Sequence, residues 1–291
     1  MELSVWLPPV AALVISFFTS MAGVSGAFLL LPLQMSVLGF TSPAVSATNL
    51  VFNLIATPSG VYRYWRERRI LWPLALLVVA GTAPGVIVGC FVRLSYLPDP
   101  KRFKAFVGVV LLWIGSRLVI DIWKSRGKAA PPAQTKDWQT QTLQFNPRRL
   151  LFQFQQQKYQ CKPWGVFILS LVVGLIGGIY GIGGAAIIAP FLVAIYGLPV
   201  HTIAGATLMG TLVTSVVGVS FYQLIAPLYQ ASGIAVAPNW TLGLSFGIGG
   251  MAGMYLGART QRFVPATFLK IMLALIILGI AVPYLMQYLR P

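Results

Sequence analysis

The 291-residue chain is 57% hydrophobic and 9% charged, with a mean hydropathy of +0.79, whereas a soluble domain is about 45–50% apolar and about 25% charged. So few charges cannot cover a water-soluble surface, and the long apolar runs identify a polytopic integral membrane protein. Its elements are helices, because a membrane β-barrel would carry short alternating segments instead. The formal charge of +16 would suggest nucleic acid in a soluble protein. Here most basic residues sit in short loops between apolar runs, where the positive-inside rule puts them, so no nucleic-acid partner is expected.

In chain order, eight apolar blocks are legible: 5 to 40, 44 to 62, 70 to 92, 105 to 124, 164 to 198, 201 to 226, 239 to 258 and 267 to 288. The first resembles a secretory signal but is preceded by Glu2 and no Lys or Arg, so it reads as a retained membrane segment. A straight crossing takes roughly 20 residues, which makes blocks one and five too long for one pass. Trp6, Trp65, Trp72, Trp123, Trp164 and Trp240 lie near block ends, where amphipathic rings prefer the headgroup level. Between blocks four and five lies a polar, basic, Gln-rich stretch, 124–163, expected to be a cytoplasmic linker, flexible around Pro131 and Pro132, with interfacial helix in RRLLFQFQQQKY. It divides a first membrane repeat, 1–123, from a second, 164–291.

The two halves repeat. AGVSGAFLLLPLQMSVLGFTSPAVSATNL from Ala22 aligns without a gap with YGIGGAAIIAPFLVAIYGLPVHTIAGATL from Tyr180, pairing Gly23 with Gly181, Gly26 with Gly184 and Pro32 with Pro190. Further on, Gly85 and Gly89 match Gly253 and Gly257. The loop after block two carries Arg63, Arg66, Arg68 and Arg69 beside Glu67, while its counterpart, Pro227 to Pro238, is uncharged. Equivalent loops of opposite character point to opposite membrane faces, hence to inverted repeats with an odd number of crossings in each. Blocks one and five are then either re-entrant hairpins or full double crossings, bent at their Gly-rich turns. This topology leaves Arg93, Lys101, Arg102 and Lys104 outside, against the charge rule; the alternative, eight simple crossings in parallel halves, places both that stretch and Arg259 to Lys270 outside. The fold expected is therefore all-α: two homologous helical repeats, each a Gly-rich broken helix or hairpin followed by three further helices.

GVSGAFLLLP and GIGGAAIIAP are the segments most suited to chemistry. Glycines let the backbone turn and expose amide N–H groups, and a helix starting there presents a positive dipole end to an anion. Small-residue packing between helices uses the same pattern. In the helices that follow, Ser46, Asn49 and Asn53 share one face, and Thr207 and Thr211 are the repeat equivalents of the two asparagines. Such groups can donate to an oxyanion or bond across a helix interface.

The duplicated Gly-rich turn, the following helix with Pro32 or Pro190, and the small-and-polar helices SATNLVFN and AGATLMGTLVTS together resemble the sulfite exporter TauE/SafE family of permeases, over nearly the whole chain except the Gln-rich linker. The second half, with Gly181, Gly183 and Gly184, is closer to the family pattern; Ser25 stands where the second half has Gly183. The resemblance implies transport of a small anion, a sulfur oxyanion, organosulfonate or organic acid, across a cell membrane, taken as a bacterial cytoplasmic membrane. The substrate-binding residues expected are Gly23, Ser25, Gly26, Asn49, Asn53, Gly181, Gly183, Gly184, Thr207 and Thr211.

Other ionisable groups offer less. His201, the only histidine, begins block six, and Arg117 and Asp121 can form a local ion pair. The five acids, Glu2, Glu67, Asp99, Asp121 and Asp137, are scattered, so no acid–base or metal cluster is expected and the chain does not read as an enzyme. Cys90 and Cys161 give neither a disulfide framework nor metal-ligand spacing. No cofactor is expected. The partners expected are the anionic substrate and the bilayer, with assembly as a homo-oligomer left open. A membrane scaffold or accessory subunit that transports nothing is the alternative, since packing alone could use every glycine named.

Overall fold

The computed structural model describes residues 6–21, 24–125, 139–185 and 187–289. Gly23, Glu2, Asp137 and the Pro131–Pro132 hinge lie outside them, as do the side chains of Asp121 and His201. The chain is mostly helical: α1 (Leu7–Met21), α2 (Ala27–Ser36), α3 (Ala44–Arg66), α4 (Trp72–Tyr96) and α5 (Pro100–Ser125), then α6 (Pro163–Tyr180), α7 (Ile188–Tyr196), α8 (Val200–Tyr229), α9 (Trp240–Thr260) and α10 (Ala266–Leu289). Among the described residues four stretches are long and apolar enough to cross a membrane: α4, Pro100–Ile120, Pro163–Tyr180 and Thr202–Tyr229. Large apolar side chains such as Leu76, Phe91, Val109 and Leu224 are exposed on their outer faces, as lipid contact requires. All six block-end tryptophans are exposed as well.

The expectation of an all-α chain is corrected in the linker. RRLLFQFQQQKY is not an interfacial helix but part of a three-stranded antiparallel sheet, β1 (Thr140–Asn146), β2 (Arg149–Phe154) and β3 (Gln157–Cys161), in the order β1-β2-β3. The reason is a period of two. Leu150, Phe152 and Phe154 are buried while Arg149 is exposed and Leu151 and Gln153 only partly covered, and Phe152 stacks on its cross-strand partner Tyr159 at 5.5 Å. Gln155 and Gln156, with φ of 48° and 62°, make the turn between β2 and β3.

The long blocks one and five each split in two. α2, with 10 residues, and α7, with 9, rise only about 15 Å or less, half of a hydrocarbon core of about 30 Å.

Between the halves the packing is reciprocal. α1 lies against α9 as α6 lies against α4, and α3 lies against α9 as α8 lies against α4. Small residues every fourth position make the first of these contacts. A Cβ on Gly85 would meet the backbone of Leu171, Gly174 and Leu175, and one on Gly253 that of Leu13 and Phe17. The helices touch main chain to main chain, as small-residue crossings in membranes do. α3 and α8 cross in opposite directions, since Leu50 reaches Gly218, Leu208 reaches Gly60, and Tyr64 reaches Gly205.

Candidate functional site

The second-half turn is built where α6 stops. Gly181 adopts a left-handed conformation, φ 81° and ψ 35°, and caps the helix through Gly181 N and Ile182 N donating to Gly177 O at 2.8 and 3.1 Å. Gly183 also has a φ of 81°, and a Cβ there would lie 3.0 Å from Ser215 Oγ and 3.2 Å from Thr211 Cγ2. The torsion disfavours any side chain at this position, and a Cβ would in addition press on Ser215 and Thr211. Gly184 N donates to Thr214 Oγ1 at 3.0 Å, fixing the turn to α8.

The first-half turn is not a copy. Gly26 is right-handed, φ −60°, as the N-cap of α2. Ser25 uses the hydroxyl that Gly183 lacks: its Oγ donates to Asn53 Oδ1 and accepts from Ala27 N at 3.2 Å.

The two asparagines of α3 hold both turns. Asn49 Nδ2 donates to Ala27 O and to Gly181 O, each at 2.9 Å, while Asn49 Oδ1 accepts from Gln34 Nε2 at 3.2 Å. Asn53 Nδ2 donates to Ile182 O at 2.8 Å. Tyr180 adds a further tie, its hydroxyl donating to Phe28 O at 2.7 Å. Both amide protons of Asn49 are thus committed to main-chain carbonyls, which makes it a staple between halves rather than a donor aimed at empty space.

The threonines differ. Thr207 Oγ1 donates back to Ala204 O at 3.0 Å and Thr211 Oγ1 to Thr207 O at 2.9 Å. The methyl of Thr211 faces Gly183. So the structure brings Ser25, Asn49, Asn53, Gly181, Gly183 and Thr211 together, with Gly184 held through Thr214. Gly23 is outside the described residues.

Two further residues complete this layer. The repeat register that aligns Asn53 with Thr211 aligns Thr57 with Ser215, and both hydroxyls are fully buried with no hydrogen-bond partner among the described residues. The signal was in the sequence: Asn49, Asn53, Thr57 and Thr207, Thr211, Ser215 continue the same four-residue stripe. No group of three or more His, Cys, Asp or Glu fit to hold a metal occurs among the described residues. Of the acids whose side chains are described, Glu67 pairs with Arg63 and Arg69, and Asp99 with Arg102, all away from this layer. A cavity of about 570 Å³ opens elsewhere, between α1, α2 and α10, with an apolar lining that includes Val14, Leu29, Leu33 and Ile280 and none of the crossing's polar residues.

Arg93, read in the sequence as a loop charge, belongs instead to the last turn of α4 and is fully buried. It therefore cannot count as an exposed cation of the loop that follows.

Comparison with known proteins agrees with this helical membrane architecture. The family model described as sulfite exporter TauE/SafE matches residues 9–284. A probable membrane transporter protein of Xylella fastidiosa (strain Temecula1) is 25% identical over 92% of this chain and 90% of its own length. The probable membrane transporter proteins YunE and YjnA of Bacillus subtilis are 22% and 24% identical, over 88% and 92% of this chain and 90% and 94% of theirs. No solved structure matches at a comparable level of significance. The chain belongs to the sulfite exporter TauE/SafE family and is a membrane transporter, which points to a permease rather than an enzyme.

Proposed function

We propose that this transporter is a multi-pass permease of the cell membrane for a small anion, a sulfur oxyanion, organosulfonate or organic acid, which passes between two inverted repeats. The observation that carries the reading is the polar layer buried at the α3–α8 crossing. It consists of Asn53, Thr57, Thr211, Thr214 and Ser215 and, among the described residues, holds two hydroxyl groups without partners and no carboxylate. A layer that offers donors and no negative charge suits an anion. The family's name, sulfite exporter, supports the substrate class.

Inversion is supported by the opposed directions of the equivalent helices α3 and α8, because repeats related by an axis along the membrane normal would keep them parallel. Re-entrant hairpins, rather than double crossings, are supported by the short α2 and α7. The cytoplasmic side is then the end carrying Arg63, Arg66 and Arg69. The linker between the halves lies there too, as Thr140 N donates to Arg68 O at 3.3 Å.

The substrate rests near the midplane between the turns around Gly23–Gly26 and Gly181–Gly184. Ser215 and Thr57 donate to it, and the missing side chain of Gly183 leaves it room. Asn49, Asn53, Ser25 and Thr214 set the distance between the turns, and Thr207 and Thr211 form the α8 wall. No cofactor enters this scheme.

Sulfite flux into proteoliposomes containing only this chain tests it. Ser215→Ala and Thr57→Ala are each expected to lower flux about three- to tenfold at unchanged melting temperature, the worth of one neutral hydrogen bond. Gly183→Val is expected to abolish flux. Wild-type flux in the Ser215→Ala/Thr57→Ala double variant would move the site away from this layer, and absence of flux in the wild type would leave the scaffold reading.

A further inference from the structure

The pseudo-symmetry of the chain builds one structural position twice, and the two versions are chemically unlike. The register that aligns Gly26 with Gly184 aligns Tyr64 with Tyr222, and the one that aligns Gly85 and Gly89 with Gly253 and Gly257 aligns Arg93 with Gln261. At the first version an amide joins the neighbouring polar groups. Gln261 Oε1 accepts from Tyr64 OH at 3.0 Å and from Arg69 Nη2, and Gln261 Nε2 donates to Met21 O at 2.7 Å. The charge of Arg69 is answered by Glu67 at 2.8 Å.

At the second version a guanidinium replaces the amide. Arg93 is wholly buried, and its Nε, Nη1 and Nη2 have no hydrogen-bond partner among the described residues, nor has the hydroxyl of Tyr222. Tyr222 lies within electrostatic reach of Arg93, with Cys90 and Ser46 beside its hydroxyl. The walls are apolar: Leu50, Val86, Leu94, Val219 and Val236. The guanidinium lies over the ring of Phe103, 3.7 Å from its centroid. The nearest described acid in sequence, Asp99, is half exposed and turned to Arg102 at 3.8 Å. Of the other cations at this end, Lys101 and Lys104 begin α5, and Lys104 faces the Tyr284 ring.

A buried cation with no counter-charge is costly unless something negative completes it. The planar fork of donors fits two oxygens of an oxyanion at once, and the Tyr222 hydroxyl can add a third bond. The place also communicates with the central layer. Ser46, beside Tyr222, donates to Tyr180 O at 3.3 Å and lies against Gly181.

We propose that Arg93, with Tyr222, is a second anion-binding station of this transporter, taking a small oxyanion such as sulfite or a sulfonate at the end of α4 opposite the Arg63–Arg69 loop. It rests on the anion-permease reading above and adds to it a charged recognition point. Selectivity for singly or doubly charged oxyanions over neutral solutes is set there, and the uncharged hydroxyls of the central layer then receive an ion that can still be released.

Calorimetric titration of the full-length protein with sulfite and with methanesulfonate, paired with thermal melts, tests it. Arg93→Gln installs the residue that the equivalent position already carries. Its expected result is an affinity lowered about tenfold or more, the worth of a charge-assisted pair. Its melting temperature in anion-free buffer should be equal to or above the wild type's, because an uncompensated charge has gone. Arg93→Lys should retain part of the affinity, and Tyr222→Phe, which keeps the shape, should lower it several-fold. Wild-type affinity in both Arg93→Gln and Tyr222→Phe overturns the station while leaving the central layer standing. A melt lowered in anion-free buffer by Arg93→Gln overturns it too, since the guanidinium would then be a satisfied structural group. If the wild type binds neither anion, the station falls together with the permease reading.

Discussion

Asn49→Ala separates a staple from a ligand. The asparagine makes three buried hydrogen bonds, to Ala27 O, Gly181 O and from Gln34 Nε2. Inter-helix hydrogen bonds within membranes average about 0.6 kcal/mol, so losing three costs about 2 kcal/mol. The cost rises if the two orphaned carbonyls stay dry, since an unpaired buried polar group is worth about 1–3 kcal/mol. The expected result is a clear fall in melting temperature in detergent, together with greater protease sensitivity of the turn at Gly181. Sulfite affinity of the molecules that remain folded should stay within a few-fold of the wild type, because no amide proton of Asn49 is left to bind substrate. The assay is a pair of measurements on one preparation, thermal unfolding and calorimetric titration below the transition. An Asn49→Ala protein that melts like the wild type and has lost its anion would refute the reasoning, since the two carbonyl bonds would then contribute nothing and the amide would be the ligand.

Two further outcomes are expected. Single cysteines placed at Arg66 and at Ala231 on a cysteine-free background should react with an impermeant thiol reagent from opposite sides of the membrane, and labelling from one side only would remove the inverted arrangement. Burial in the linker sheet pushes the Cys161 thiol up from 9.0 to about 11, so the fold favours the neutral form. Its contribution to stability is complete below about pH 9 and fades as pH rises towards about 11, and at pH 8 its thiolate fraction is about a hundredfold below that of an unshifted thiol. Maleimide should therefore label native Cys161 slowly at pH 8 and rapidly once the protein is unfolded, and equal rates in the two states would contradict its burial.

The membrane character was legible because composition alone excludes a water-soluble surface, and the transporter family because the duplicated turn lies in one register over nearly the whole chain. The stripe of Asn49, Asn53, Thr207 and Thr211 was legible for the same reason: helical spacing is a local property that needs no knowledge of neighbours. The linker was misread because its alternation of Leu150, Phe152 and Phe154 is short and set among glutamines, and a period of two over five residues is easily taken for one face of a helix. What the stripe touches could not be read. That Asn49 gives its protons to carbonyls of both turns depends on α3 meeting a segment 132 residues away. That Thr57 and Ser215 have no partner among the described residues depends on where that crossing falls. Arg93 is the sharpest case. In the sequence it stands with Lys101, Arg102 and Lys104 as one basic group, and only the assembled helices take it out of solvent, between Phe103 of α5 and Tyr222 of α8. Burial converts a charge from a marker of topology into a demand for a partner, and burial is a property of the assembled helices, not of any one of them.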